Sequence, residues 1–295
     1  MLTLLLGAIV LAQEFRSESE LVVLHVMVTD RSGSYVSGLS ADAFHVFDDT
    51  RPQAPKFFLN EDAPVTVGLI IDSSGSMAPV RDRVIAAAAE FVASSNPDDE
   101  IFALVFNDDV ETVLAGAPFT SNADTLRTAL SSVFQPAGRT ALYDAVARGL
   151  AYVANGTRDR RVLVVLSDGG DNASRLTLKD VMTQVQTSNT VVYSVALDDP
   201  LDADASPRRL KQLAEASGGE SLTPKNVAEV RTAFQKIARD VRHSYTIGYE
   251  PMNPARRTGF HKVHVDVQVP DGRRLDVHAR TGYLTGHGDA QPGPR

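Results

Sequence analysis

The chain has 295 residues, 43% of them hydrophobic and 22% charged, which is enough for a large core and unlike a disordered protein. Its 29 Lys and Arg against 37 Asp and Glu leave a net charge of −8, so it has no general electrostatic attraction for nucleic acid or an anionic membrane. Cysteine is absent, and with it disulfides, thiolate metal centres and thiol catalysis.

Residues 1–15 read as a signal peptide. The apolar run Met1–Ala12 is too short to span a bilayer, and Val10-Leu11-Ala12 offers a small-residue cleavage site, although the usual basic start is missing. Export to the periplasm or the exterior is the expectation, with a buried first strand or helix as the alternative. Residues 16–61 form a β segment. Leu21–Thr29 is rich in β-branched residues, Asp30-Arg31-Ser32-Gly33 reads as a turn, Ser40-Ala41-Asp42 as a short helical turn and Phe44–Phe47 as a second strand.

Residues 62–242 change period. The continuous apolar run Val65–Ile71 fits a strand buried on both faces. A helix over Pro79–Ser94 follows, with Pro near its start. Strands are expected at Ile101–Phe106, Arg161–Leu166 and Thr190–Ala196, and a short edge strand at Val110–Leu114. Helices are expected at Asn122–Ser132, Thr140–Ala154, Thr177–Thr187, Pro207–Ser217 and Asn226–Val241. Alternation of this kind specifies an α/β fold, with a mostly parallel sheet covered by helices on both faces.

Residues 243–285 return to strands, at Tyr245–Tyr249, His261–Val269 and Arg273–Ala279. Asp271-Gly272 is a hairpin signal between the last two. Neither flanking β segment buries much alone, so the two are expected to pair into one small sandwich-like domain with the α/β domain inserted between them. The Gly- and Pro-rich tail 286–295 reads as disordered.

In an open α/β sheet, ligands bind beyond the carboxyl ends of the strands. Asp72-Ser73-Ser74-Gly75-Ser76 follows the first buried strand, and Ser167-Asp168-Gly169-Gly170-Asp171 follows the Arg161–Leu166 strand. Gly138-Arg139-Thr140 opens a helix between them. In extended backbone, residues two apart face the same way, which lets Asp72, Ser74 and Ser76 converge. Two carboxylates (Asp72, Asp168) and three hydroxyls (Ser74, Ser76, Thr140) make an all-oxygen donor set. It suits Mg²⁺ first, with Mn²⁺ or Ca²⁺ as alternatives, and leaves a coordination position for water or an outside acidic oxygen. Taken singly, each of these residues is more often a helix cap than a ligand.

The pattern Asp72-x-Ser74-x-Ser76, Thr140, Asp168-Gly169 resembles the metal-ion-dependent adhesion site of von Willebrand factor A (vWA) domains, over roughly residues 62–242. The flanks, including Phe44-x-Val46-Phe47-Asp48-Asp49, Tyr245-x-Ile247-Gly248-Tyr249 and Thr281-Gly282-Tyr283, resemble bacterial exported vWA-related proteins common in Acidobacteria. The resemblance implies a Rossmann-like domain whose serines ligate Mg²⁺ directly. It implies that the threonine joins when ligand is engaged, that the aspartates act directly or through water, and that a partner Glu or Asp completes the shell. By this reading Gly75, Gly138 and Gly169 allow sharp turns near the ion, and Arg139 is a solvated neighbour, with gating of the site or pairing with a partner carboxylate as the alternatives.

Other signals are weaker. Asp198, Asp199, Asp202 and Asp204 lack the spacing of a calcium loop and read as a solvated loop. His261 and His264 fall on opposite faces of one strand, so they do not converge. Tyr245, Tyr249 and Tyr283 read as packing residues. No histidine precedes His243 in the α/β region to serve Ser74 or Ser76 as a base, and the hydrolase, Walker, dinucleotide and zinc-protease motifs are absent. The expectation is a non-enzymatic module that binds a protein carboxylate through a divalent cation. The alternatives are a cytoplasmic assembly subunit working with an AAA+ ATPase and, behind it, a Mg²⁺-assisted hydrolase.

Overall fold

The computed structural model describes residues 21–60, 62–197, 206–252 and 258–285. The expected signal peptide, the four aspartates of the acidic loop and the expected disordered tail lie outside the described residues. In chain order the elements are β1 (Val22–Thr29), β2 (Phe44–Asp48), β3 (Arg51–Gln53), β4 (Phe57–Leu59), β5 (Val65–Asp72), α1 (Arg81–Ser94), β6 (Glu100–Phe106), β7 (Val110–Thr112), α2 (Ala123–Val133), α3 (Leu142–Val153), β8 (Arg160–Ser167), α4 (Leu178–Thr187), β9 (Thr190–Ala196), α5 (Pro207–Ser217), β10 (Ser221–Leu222), α6 (Val227–Arg242), β11 (Ser244–Tyr249), β12 (Gly259–Val267), β13 (Asp276–His278) and β14 (Gly282–Thr285).

The central sheet has the order β10-β9-β8-β5-β6-β7, parallel except for β7. Every residue of β5 is buried, because its two faces serve two cores. Val65, Val67, Leu69 and Ile71 face one core, with Phe91 of α1, Leu126 of α2 and Phe234 of α6. Ile70 faces the other, with Val146 of α3, Val185 of α4 and Leu213 of α5. Each such side chain contributes about 1.5–3 kcal/mol by leaving water, which is what presses the two helical layers onto the sheet. The chain runs from β5 to β6 on one side and returns to β8 on the other. The crevice between the carboxyl ends of β5 and β8 is therefore a topological switch point.

The flanking segments form two four-stranded sheets, β13-β1-β11-β4 and β14-β12-β2-β3. Leu24 and Val26 of β1, Tyr245 and Ile247 of β11 and Val263, Val265 and Val267 of β12 fill the space between them. In β12 the buried residues alternate with exposed ones, as expected for a sheet with one wet face.

The structure adds four short strands that the sequence reading did not expect, β3, β4, β10 and β14, and departs from it in three further places. Asp271-Gly272 does form a turn, with Gly272 at φ +66, but no hairpin: β12 pairs with β2 and β14, whereas β13 crosses to pair with β1 in the other sheet. That crossing brings Leu275, Val277 and Ala279 onto the sandwich core. Pro79 lies inside a 3-10 turn, Gly75–Val80, and the α-helix starts only at Arg81. Thr140 precedes α3 and stays outside the helix.

The two domains meet around buried basic side chains. Arg160, 1% exposed, donates to the carbonyls of Ala63 and Val241 and so ties together the two crossings between domains. Arg280, from the sandwich, donates to Gln186 and Ser188 at the carboxyl end of α4, at 2.7 and 2.9 Å, where a cation offsets the helix dipole. His25 of β1 is buried between these two arginines. Burial first, then the charges of Arg160 and Arg280, push its pKa from 6.5 down to about 3, and only the backbone hydrogen bond to Asn189 acts in the other direction.

Because the unfolded chain takes up this proton near pH 6.5 and the folded one only near pH 3, His25 contributes stability that is complete above pH 6.5 and falls as the pH drops below it. Denaturant titrations between pH 7 and pH 4 are expected to lose about 3 kcal/mol from this source, and a His25→Leu variant to lose markedly less over the same range.

Candidate functional site

Asp72 ends β5 and Asp168 follows β8, so the two carboxylates sit on either side of the switch point. Both are buried, at 0% and 2% exposure. Asp72 Oδ1 accepts the N–H of Ser74 at 2.8 Å, and Oδ2 accepts the hydroxyl of Ser167 at 2.6 Å. Asp168 Oδ1 accepts the N–H of Gly170 at 2.8 Å, and Oδ2 accepts the hydroxyl of Ser76 at 3.1 Å. The hydroxyls of Ser74 and Ser76 lie 3.1 Å apart. Ser74, Ser76 and Asp168 thus form one hydrogen-bonded chain, and Asp72 joins it through the backbone of Ser74.

These contacts argue against simple helix capping. Ser74 occupies the N-cap of the 3-10 turn, yet its side chain makes no capping bond there. The hydroxyl of Ser76 reaches across to the β8 loop. Thr140 is buried on an adjoining loop. Its N–H donates to Asn172 Oδ1, and its carbonyl accepts the N–H groups of Asn172 and Ala173. The same loop is stitched to the serine loop by Ala137 N–H to Ser73 O at 2.9 Å and Gly75 N–H to Gly138 O at 3.4 Å.

The residues that hold the loops in place were harder to single out. Ser167 adjoins Asp168 in the quoted motif, but its role emerges only from its bond to Asp72. Ser174 supplies its hydroxyl to the first N–H groups of α3, at Tyr143 and Asp144, while Asp144 accepts the N–H groups of Arg175 and Leu176. This reciprocal clamp fixes the β8–α4 loop against the start of α3. Arg139 is exposed, as expected, and is also paired: Asp108 accepts its backbone N–H at 2.9 Å and its Nε–H at 2.7 Å.

Among the described residues, Asp72 faces a shortage of positive charge. Asp72 is bonded to Ser74 and Ser167 and, among the described residues, to no cation. Burial pushes its carboxyl from 3.8 up to about 6; the serine hydrogen bonds pull it back, and the Asp168 charge pushes it further up. A buried, uncompensated carboxylate beside a second one is an environment that a dication relieves. The surrounding donors are all oxygen, the type that hard divalent ions take. The residues present therefore fit such an ion.

A second group with metal-ligand side chains lies in the sandwich. The ligand atoms of Asp48, Asp49 and His261 are within 4.8 Å of one another. Asp48 Oδ2 accepts the hydroxyls of Tyr249 and Tyr283, while His261 Nδ1 meets Asp49 at 2.8 Å and its Nε2 meets Thr285 at 3.0 Å. His261 is buried and His264 exposed, so the two do lie on opposite faces. The partners of His261 come from other strands, which spacing along one strand does not reveal.

The family model of the von Willebrand factor type A domain matches residues 67–240, more than half of the chain. The chain belongs to the von Willebrand factor type A domain family. Solved structures agree on the vWA fold. The vWF domain of the type V pili tip protein Mfa5 from Porphyromonas gingivalis shares 14% identity over 60% of this chain and 95% of that one, with a TM-score of 0.50. A von Willebrand factor type A protein from Catenulispora acidiphila shares 15% over 90% and 75%, with a TM-score of 0.52. Proximal thread matrix protein 1 from the mussel byssus, in a structure with a zinc-occupied MIDAS motif, shares 12% over 66% of this chain and 49% of that one, with a TM-score of 0.52. No curated protein matches the sequence. Among the described residues, no helix of this vWA protein is long and apolar enough to cross a membrane.

Of the three glycines singled out, Gly138 and Gly169 have positive φ, at +77 and +82, and Gly75 does not. A Cβ on Gly169 would fall 2.4 Å from the carbonyl oxygen of Ser206, whereas one on Gly75 meets nothing closer than 3.9 Å. Gly169→Ala is expected to cost about 3 kcal/mol or more in denaturant unfolding, from backbone strain and a backbone clash, whereas Gly75→Ala stays within about 0.5 kcal/mol.

Proposed function

We propose that this vWA domain binds a divalent cation, Mg²⁺ by preference and Mn²⁺ or Ca²⁺ otherwise, at Asp72, Ser74, Ser76, Thr140 and Asp168. The loaded site then captures an Asp or Glu side chain of a protein partner. The observation that carries the reading is the buried pair Asp72 and Asp168, one of them without a cationic neighbour among the described residues, bridged by serine hydroxyls that cap no helix. Bound there, a dication supplies a positive centre with a coordination position left for an outside oxygen.

The chain's own residues do the rest. The apolar β5 and β8 strands hold the two carboxylates at fixed places, and Ser167 orients Asp72. The serine pair presents its hydroxyls on the same side as Asp168. Two carboxylates would balance the charge of a dication, and the open coordination position is what would draw an outside carboxylate. The role is that of an exported, non-enzymatic binding module, acting outside the cytoplasm. It is consistent with a neighbour whose name places it at a pilus tip and another whose MIDAS motif holds zinc.

Calorimetric titration of the purified protein with Mg²⁺ is expected to show saturable uptake, and Ser76→Ala and Asp72→Asn to weaken it at least tenfold while the fold persists. Saturating Mg²⁺ should stabilise the wild type by about 2.7 kcal/mol at a hundredfold excess over the dissociation constant, an effect that EDTA reverses. No uptake of Mg²⁺, Mn²⁺ or Ca²⁺ at millimolar concentration sinks the reading.

A further inference from the structure

Arg139 stands next to Thr140 on the loop that reaches the candidate metal residues, and the reading above gives it no task. We propose that Arg139 is a second anion-binding point beside the metal, so that the domain selects a partner segment carrying two neighbouring acidic side chains, one for the cation and one for the Arg139 guanidinium. This rests on the metal reading of Asp72, Ser74, Ser76, Thr140 and Asp168.

Three observations support it. The first is the fixed orientation of the side chain. The Asp108 carboxylate grips Arg139 twice, at the backbone N–H (2.9 Å) and at Nε (2.7 Å). These two bonds, backbone first, hold the Asp108 carboxyl below its usual value. Gripping Nε sets the plane of a rigid guanidinium and leaves its outer edge unused. Among the described residues neither Nη nitrogen donates a hydrogen bond, and the side chain is 66% exposed.

The second is the backbone that allows this grip. Gly138 has φ +77, and a Cβ there would lie 2.2 Å from Asp108 Oδ2. The absence of a side chain at 138 is what lets the carboxylate lie against the 138–139 backbone. The third is attachment to the candidate site itself. The 137–140 loop is bonded to Ser73 and Gly75 on one side and, through Thr140, to Asn172 on the other. A guanidinium anchored at 139 therefore moves with the loops that carry Ser74, Ser76 and Thr140.

An ion pair this exposed contributes little to stability, at most about 1 kcal/mol. Its consequence is for recognition. A guanidinium with two parallel donors free is the natural partner of a carboxylate, and it takes one without giving up Asp108. A monocarboxylate then uses only the cation, while a segment with two acidic residues uses both points.

The test uses the full chain and four-residue peptides, acetylated and amidated at their ends, with one aspartate or with two in adjacent or alternate positions. Mg²⁺ affinity is measured by calorimetry and peptide affinity by NMR titration of the Mg²⁺-loaded protein, for the wild type and Arg139→Gln. The wild type is expected to bind the better doubly acidic peptide about tenfold more tightly than the singly acidic one. In Arg139→Gln that advantage falls to the statistical factor of about two, with Mg²⁺ affinity and the affinity for the singly acidic peptide unchanged. Absence of Mg²⁺ uptake by the wild type overturns the metal reading and this proposal with it. Mg²⁺ uptake without peptide binding overturns the carboxylate-capture reading together with the Arg139 assignment, whereas equal affinity for all the peptides, or a tenfold advantage that survives Arg139→Gln, overturns the Arg139 assignment alone.

Discussion

Two carboxylates buried on either side of one crevice are the constraint around which the α/β part of the chain is organised. The hydrophobic strands that carry them cannot shift without opening both cores, because β5 is buried on both faces and pairs with β8 along its length. Asp72 and Asp168 are thus forced out of water at places fixed by apolar packing, and the protein offers them hydroxyls and backbone N–H groups. Such partners ease the burial of a negative charge and do not cancel it. The apolar interior and the polar rim are one design: the rigidity of the first holds the Asp72 carboxylate buried with no cationic partner among the described residues.

The loops around the crevice are linked by a small number of reciprocal contacts. Ser174 and Asp144 clamp the β8–α4 loop to α3, Asn172 holds Thr140, and the backbone of residues 137–138 is tied to the serine loop. Because these are hydrogen bonds between neighbouring loops, a change in one is felt by the others. The sandwich meets the α/β domain elsewhere, through Arg160 at the two crossings and Arg280 on the end of α4. Those contacts place cations against backbone carbonyls.

The likeness to other vWA structures is one of fold, since the identities lie at 12–15%. At that distance side-chain roles have to be argued from this chain's own geometry. The sandwich offers a useful contrast with the rim. Asp48, Asp49 and His261 also bring ligand-type atoms together, but two tyrosine hydroxyls and Thr285 engage that group. A cluster so thoroughly engaged reads as a structural knot between strands, whereas Asp72 keeps a buried charge answered only by serines.

Periodicity along the chain was enough to determine the α/β alternation, the position of β5 and the grouping of oxygen-bearing residues just past two strand ends. These properties are local: a run of apolar residues and the polar residues that follow it are written next to each other. The Asp271-Gly272 turn shows where such reading stops, since its residues turn as expected while the strands beyond them choose partners in different sheets. The ion pair of Arg139 with Asp108 and the assembly of His261 with Asp49 and Thr285 were likewise decided only by tertiary structure. Each joins residues far apart in sequence, and which of them meet depends on how whole sheets and layers pack, a choice made by the summed burial of the core and carried by no single stretch of chain.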